Sequence, residues 1–276
     1  MRVLVTGANG YIGQGVTKKL LELEYEVIAT DVRSTNIPSG AKVIETDLFS
    51  VKDPWNYFEK PDVLVHLAWR DGFEHNSLTH INDMPKHYNF IDKITQSDMK
   101  RICVMGSMHE VGFYEGSISE NTPCNPQSLY GISKNALRLS MTLLAKERRK
   151  ELLWLRGYYI VGNSHYGSSI FSKITAAEEK GLSEFPFTLG QNQFDFIDYD
   201  ILCSQVVTAL LQNKVLGIIE CCSGRPEKLA DRVERFIREN NYKIKLVYGK
   251  FPDRPYDSKA VWGDNHKINL IMERAK

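Results

Sequence analysis

The stretch Gly7-Ala8-Asn9-Gly10-Tyr11-Ile12-Gly13 decides how this chain folds. A short β-branched apolar run, Arg2–Thr6, leads into it. On the other side Ile12, Val16 and Leu20 recur four apart, which is one face of a helix. The glycines are spaced G-x-x-G-x-x-G between a strand and a helix. Such glycines permit a tight turn and let the backbone approach a pyrophosphate at the helix N-terminus. Gly7, Asn9, Gly10, Tyr11, Ile12 and Gly13 are therefore candidate dinucleotide contacts.

Further along, Glu26–Asp31 reads as a second strand ending in a carboxylate. Asp31 is suited to accept hydrogen bonds from an adenosine ribose and to repel a 2′-phosphate, which favours NAD(H). Arg33, two residues on, offsets that repulsion and keeps NADP(H) as the alternative. Apolar strand-like runs follow at 43–44, 62–68, Arg101–Ser107 and 152–156, with a long proline-free helical stretch at 128–150. Near-continuous apolar strands alternating with helices imply a parallel sheet covered on both faces, hence a doubly wound α/β (Rossmann) fold. Asp47 and Leu48, after the third strand, are candidate adenine contacts by position. The later half is less regular. Residues 157–167 and 186–193 read as loops, 198–212 and 229–240 as helices, 218–222 and 243–248 as strands. The expected organisation is a dinucleotide-binding domain over 1–160. Residues 161–276 would return partly to that core and form a small C-terminal substrate lobe.

Composition narrows the class. Of 276 residues, 42% are apolar and the net charge is +1, which excludes a disordered chain and a globally basic nucleic-acid binder. No run of about 18 apolar residues is present, so no membrane span is expected. The N-terminal apolar run breaks at Gly7 and lacks the features of a signal peptide. The cysteines, Cys103, Cys124, Cys203, Cys221 and Cys222, are odd in number and form no C-x-x-C pair, so free thiols in the cytoplasm are expected. The histidines show no zinc spacing, and no metal site is expected. His75 and His80, in a polar stretch, read as surface residues.

A second motif is Tyr130-Gly-Ile-Ser-Lys134 on the 128–150 helix. Positions 130 and 134 share a face one turn apart. An ammonium near a phenol favours the phenolate, which would fit Tyr130 for acid/base work on a carbinol or carbonyl. Lys134 is also placed to bind a ribose hydroxyl. Ser107 ends the fifth strand, where ligands of doubly wound sheets sit, and its hydroxyl suits the reacting oxygen.

The glycine loop, Ser107 and the Y-x-x-x-K pair, in that order, resemble the extended short-chain dehydrogenase/reductases, the NAD-dependent epimerase/dehydratase group. His66-Leu67-Ala68 resembles that group's V-H-x-A segment beside the cofactor, which brings in Leu67 and Ala68. The tract from Glu120 to Tyr130 and the segment Asp195–Asp200 also match its pattern. The resemblance covers roughly residues 1–260. It implies that Ser107, Tyr130 and Lys134 are catalytic and that the substrate is a nucleotide-diphosphate sugar. It also implies a homodimer through the 128–150 helix, although Leu137, Met141 and Leu144 could equally face the chain's own core.

Departures from the pattern narrow the activity. The 4,6-dehydratases of this group carry an acidic pair just after the catalytic serine or threonine. Here those positions are Met108 and His109, with Glu110 one place late. Methionine cannot transfer a proton, so dehydration is disfavoured. The tract 106–112 most resembles the 4-keto-6-deoxy-sugar reductases, with a C4 epimerase as the alternative. A non-catalytic nucleotide-binding protein ranks lower, because such proteins usually lose the tyrosine or the lysine. Three residues are candidate substrate contacts. They are His109, Tyr159 (where the group often has asparagine) and Arg254, which resembles a late diphosphate-holding arginine.

Overall fold

In the computed structural model, residues 1–162, 169–252 and 258–275 are described. The first half runs β1 (Arg2–Thr6), α1 (Tyr11–Glu22), β2 (Glu26–Asp31), β3 (Lys42–Glu45), α2 (Pro54–Tyr57), β4 (Val63–His66), α3 (Thr79–Thr95) and β5 (Arg101–Ser107). It continues with β6 (Gly116–Ile118), α4 (Leu129–Arg148) and β7 (Glu151–Gly157). Then come β8 (Tyr159–Val161), α5 (Ile170–Glu179), β9 (Glu184–Pro186), β10 (Gln193–Asp198), α6 (Tyr199–Leu211) and β11 (Gly217–Cys221). The chain finishes with β12 (Pro226–Lys228), α7 (Leu229–Glu239), β13 (Lys245–Val247), β14 (Ala260–Gly263) and α8 (His266–Arg274).

Seven strands form one all-parallel sheet in the order β11-β7-β5-β4-β1-β2-β3. Alternate residues explain why the strands are apolar throughout. Val3 and Val5 face one core with α1, α6 and α8, while Leu4 faces the other with α3 and α4. Cys103 and Met105 likewise oppose Ile102 and Val104. Strand order reverses between β1 and β4, where Thr6 pairs with His66. A crevice at such a reversal is where doubly wound sheets hold ligands.

A smaller sheet of order β12-β10-β14-β6, with β8 added on β10, and a β9–β13 pair make up the rest. Its core is aromatic, including Phe171, Phe187, Phe194, Phe196 and Phe236, and takes in Met108 and Val111 from just beyond β5. Asp195 on β10 is fully buried and accepts hydrogen bonds from Ser223 N, Ser223 Oγ, Gly224 N and Gly263 N at 2.8, 2.7, 2.8 and 3.1 Å. It thereby ties β10 to the chain after β11 and to β14.

Here the sequence reading needs correction. The loops expected at 157–167 and 186–193 contain β8, the end of β9 and the start of β10; residues 163–168 lie outside the described set. The helix expected at 198–212 is α6, and the strand β10 leads directly into it. Three-residue strands are too short for a period of two to register, and pairing with distant partners makes them. No helix among the described residues is long and apolar enough to cross a membrane.

Candidate active site

The first glycine loop is built as its spacing implies. Gly7 has φ +69°, and a Cβ there would lie 2.6 Å from the Ala68 nitrogen. A Cβ on Gly13 would lie 2.1 Å from the Gly7 carbonyl oxygen. Leu67 and Ala68 thus form the floor on which the loop rests. Gly10 is the N-cap of α1 and gives no side-chain hydrogen bond, so the cap leaves backbone donors of the first turn to an anion.

Asp31 accepts from Asn9 N at 3.1 Å and Val32 N at 2.7 Å, which fixes its carboxylate at the loop. Asn9 in turn accepts from Asn36 N at 2.7 Å. Arg33 is exposed. Asp47 caps a 3₁₀ turn by accepting from Phe49 N at 3.0 Å, and Leu48 beside it is buried. Ile12 packs on the α1-side core. The Tyr11 ring stacks on Tyr199 at 4.3 Å, and its carbonyl accepts the Tyr199 hydroxyl at 2.6 Å. The tight glycine turn, the open helix end and the fixed carboxylate are the features a dinucleotide such as NAD requires.

Ser107 ends β5 and caps the turn 108–110. Its Oγ accepts from His109 N at 3.2 Å and its own N–H donates to Glu110 Oε1 at 2.8 Å. Tyr130 is the second residue of α4, whose N-cap Ser128 accepts from Gly131 N at 3.1 Å. The first-turn donors of α4 are satisfied by the loop after β4. Tyr130 N donates to the His75 carbonyl at 2.8 Å and Leu129 N to Asn76 Oδ1 at 3.3 Å. One turn on, the buried Lys134 Nζ donates to the Met105 carbonyl at 2.8 Å.

That loop corrects the reading of His75 and His80 as surface residues. His80 is buried and His75 is half-buried. The Tyr130 ring stacks on His75 at 5.3 Å and meets His80 edge-on at the same separation, with His109 at 6.0 Å and Trp69 at 6.2 Å. The stretch is polar, but its hydrogen bonds to the α4 terminus fold it over the tyrosine. His109, 4.4 Å from His75, is brought into the cluster, and burial with help from His75 brings it down to about 3, so its imidazole is neutral. Tyr159 packs on Phe194 at 4.6 Å in the aromatic core and is not among the ring contacts of Tyr130. Arg254 lies outside the described residues.

The expected effect of Lys134 on Tyr130 is also corrected. Burial pushes the phenol up to about 12, opposed by a hydrogen bond with Ser107 and reinforced by the charge of Glu110. Lys134 is brought down to about 7 by burial, with Glu110 opposing. Its Nζ lies 6.0 Å from the Tyr130 ring centroid and is turned toward Met105 and Trp69, so desolvation outweighs its field on the phenol.

Sequence reasoning left Glu110 without a role. It is fully buried. Oε1 accepts from Trp154 Nε1 at 2.8 Å as well as from Ser107 N, and Oε2 accepts from Arg156 Nε at 3.1 Å. Arg138 lies 3.5 Å away, and Arg156 continues to Glu220 at 3.2 Å. A second buried relay runs from Thr6 Oγ1 to His66 Nδ1 and from His66 Nε2 to His87 Nδ1, each 2.9 Å. Burial holds His66 well below the usual imidazole range and His87 at about 3.

A protonated phenol, a serine hydroxyl and an amine thus gather at the carboxyl end of β5, beside the glycine loop. This set is able to exchange a proton with a carbinol or carbonyl oxygen.

A relative from Aggregatibacter actinomycetemcomitans, dTDP-6-deoxy-L-talose 4-dehydrogenase (NAD(+)), is 43% identical over 269 residues, covering 95% of this chain and 99% of its own length. The fold is shared with UDP-N-acetylglucosamine 4-epimerase from Methanobrevibacter ruminantium (TM-score 0.85, 19% identity, 98% of this chain and 91% of that one). It is shared equally with UDP-glucose 4-epimerase from Thermotoga maritima (TM-score 0.82, 18% identity, all of both chains). The profile of one family of enzymes matches residues 3–221, which with the 43% relative shows that the chain belongs to the NAD dependent epimerase/dehydratase family.

Proposed function

We propose that the protein is an NAD(H)-dependent oxidoreductase at C4 of a nucleotide-linked 6-deoxy sugar, interconverting the 4-hydroxyl and the 4-ketone. The observation that carries this reading is the Ser107–Tyr130–Lys134 cluster beside the glycine loop, in a chain 43% identical to a 6-deoxy-sugar 4-dehydrogenase over nearly its full length. A dehydrogenase and a 4-keto reductase catalyse one equilibrium in opposite directions. The protonated Tyr130 is ready to act as the general acid of the reductive direction.

The loop 7–13, Asp31, Leu67, Ala68 and Lys134 are the groups proposed to hold the cofactor, with Asp47 and Leu48 at the adenine end. The chemistry that NAD(H) supplies when bound is hydride exchange with the sugar carbon. Ser107 orients the sugar O4. Tyr130 gives O4 its proton during reduction and takes it back during oxidation. Lys134, near 7, is able to carry charge at neutral pH and to exchange a proton with Tyr130. His109, its imidazole neutral, and His75 form a wall for the sugar hydroxyls.

The test supplies dTDP-6-deoxy-L-talose with NAD⁺ and, separately, with NADP⁺, and follows reduced cofactor by absorbance and the sugar by mass. Loss of two hydrogens matched by NADH formation supports the reading. Conversion to the C4 epimer with no net cofactor change would overturn it in favour of an epimerase.

A homodimer is part of the same proposal. Leu137, Met141 and Leu144 are used in the chain's own core. The opposite stripe of α4 exposes Ile132, Leu139 and Leu143, the last two at 51% and 71%, and α3, packed on α4, exposes Ile81. Burying one leucine contributes about 1.5–3 kcal/mol. Light scattering is expected to give twice the 31.6 kDa chain mass for the wild type and the single mass for Leu139→Glu with Leu143→Glu.

A further inference from the structure

Trp69 directly follows the His66-Leu67-Ala68 segment, and no motif accounts for it. Its indole is held on several sides. It stacks on His87 at 4.6 Å and 13°, and Nε1 donates to His80 Nδ1 at 3.1 Å. The His80 Nε2 in turn meets the Glu74 carbonyl at 3.0 Å. The Lys134 Nζ lies 4.0 Å from the Trp69 ring centroid, and the Tyr130 ring meets the indole edge-on. An ammonium over a desolvated indole face is attracted by the ring quadrupole more strongly than at an exposed site.

The other groups facing Lys134 supply little that would hold a charge there. Glu110, from the turn after β5, favours the ammonium, but Arg156 and Arg138 share its carboxylate. His66 on β4 and His87 on α3 are neutral, and Tyr130 on its own helix is protonated. Beside the Met105 carbonyl, the indole offers an electron-rich face 4.0 Å from Nζ, nearer than the Tyr130 ring at 6.0 Å.

We infer that Trp69 is a positioning residue for the proposed reaction: its indole face holds the Lys134 ammonium against β5 and so keeps the lysine placed and charged beside Tyr130. The inference rests on the reading of Lys134 and Tyr130 as an acid/base pair. It extends that reading to a residue whose neighbours, His80 and His87, come from α3.

Two measurements test it. The first uses the protein without cofactor or sugar and follows tryptophan emission between about pH 5 and pH 9. Loss of a proton from Lys134 beneath the indole is expected to give a step near neutrality, absent from Trp69→Leu and from Lys134→Met. The second is the pH profile of kcat. Removing the π face stabilises the ammonium less, so it deprotonates at lower pH and the falling alkaline limb moves down. The expected shift is about one pH unit for Trp69→Leu, ten-fold in the proton equilibrium, and smaller for Trp69→Phe.

A Trp69→Leu protein that loses rate or thermal stability while its limb stays put would reduce Trp69 to a wall. An emission step that survives Lys134→Met would likewise overturn the inference. If Trp69→Leu fails to fold, Lys134→Met in the presence of Trp69 still decides the first measurement. Turnover retained in Lys134→Met would sink the acid/base reading, and the emission step would then decide the Trp69–Lys134 contact by itself.

Discussion

Tyr130→Phe is expected to lower kcat about 10²–10⁴-fold in both directions, the range for loss of a general acid or base. The substitution keeps the ring, so the stacking with His75 and the edge contacts with His80 and Trp69 persist. Only the hydroxyl and its hydrogen bond with Ser107 are lost, at a cost of about 1 kcal/mol in stability. NADH binding, followed by its fluorescence, is expected to change little, because the glycine loop and Asp31 do not touch the phenol oxygen. The reductive rate is expected to be the cleaner measure, since the phenol holds its proton throughout the neutral range. A Phe variant within ten-fold of wild type would move the proton to another donor.

Glu110→Ala is expected to destabilise the fold by about 3–5 kcal/mol, the cost of breaking a buried ion pair from one side. The carboxylate holds the Ser107 and Trp154 N–H groups and faces Arg156, whose side chain is 1% exposed. Alanine strands all of these at once. Of its two carboxylate partners Arg156 would keep Glu220, which burial has pushed up to about 7 and which is therefore a weaker counter-charge at neutral pH. For a chain of this size the thermal midpoint is expected to fall on the order of 10 °C in calorimetry. Glu110→Gln retains acceptors for Ser107 and Trp154 and is expected to lose about half as much. In both variants Ser107 should be less well placed, so kcat should fall at temperatures where the protein is still folded. A stability unchanged within about 1 kcal/mol would mean that Arg156 finds another partner.

The sequence made the parallel core readable because β1, β2, β5 and β7 are apolar on both faces and end at glycine, aspartate or serine. Glu26–Asp31 and Arg101–Ser107 carry the bounds read from the residues alone. Most of the smaller sheet was not readable, since β6, β8 and β12 have three residues each and exist only through their partners, as does β9; of these short strands only β13 falls in a run read as a strand, 243–248. The helix α8, beyond Pro252 and Pro255, shows only Ile268 and Ile271 as fully buried apolar residues. At the site, the Tyr130–Lys134 spacing was legible as a motif. The surroundings of that pair were not, because His75, His80 and Trp69 lie some 50 to 60 residues upstream and fold over it through backbone bonds to the start of α4. Glu110 was seen as a misplaced acid; only the fold reveals the two arginines that make it an anchor.

The path of the last hundred residues has a consequence for synthesis. The core that packs β1 and α1 is completed by α6, by Ile219 and Cys221 of β11, and by Ile268 and Ile271 of α8. While the chain is still emerging from the ribosome, the glycine loop and first helix are made early but one face of their sheet lacks its cover. That face stays open until α6, β11 and α8 have been made, through the time needed to make most of the smaller sheet. Between the making of β1 and the making of α8 the nascent chain therefore carries an apolar surface that a chaperone is suited to cover.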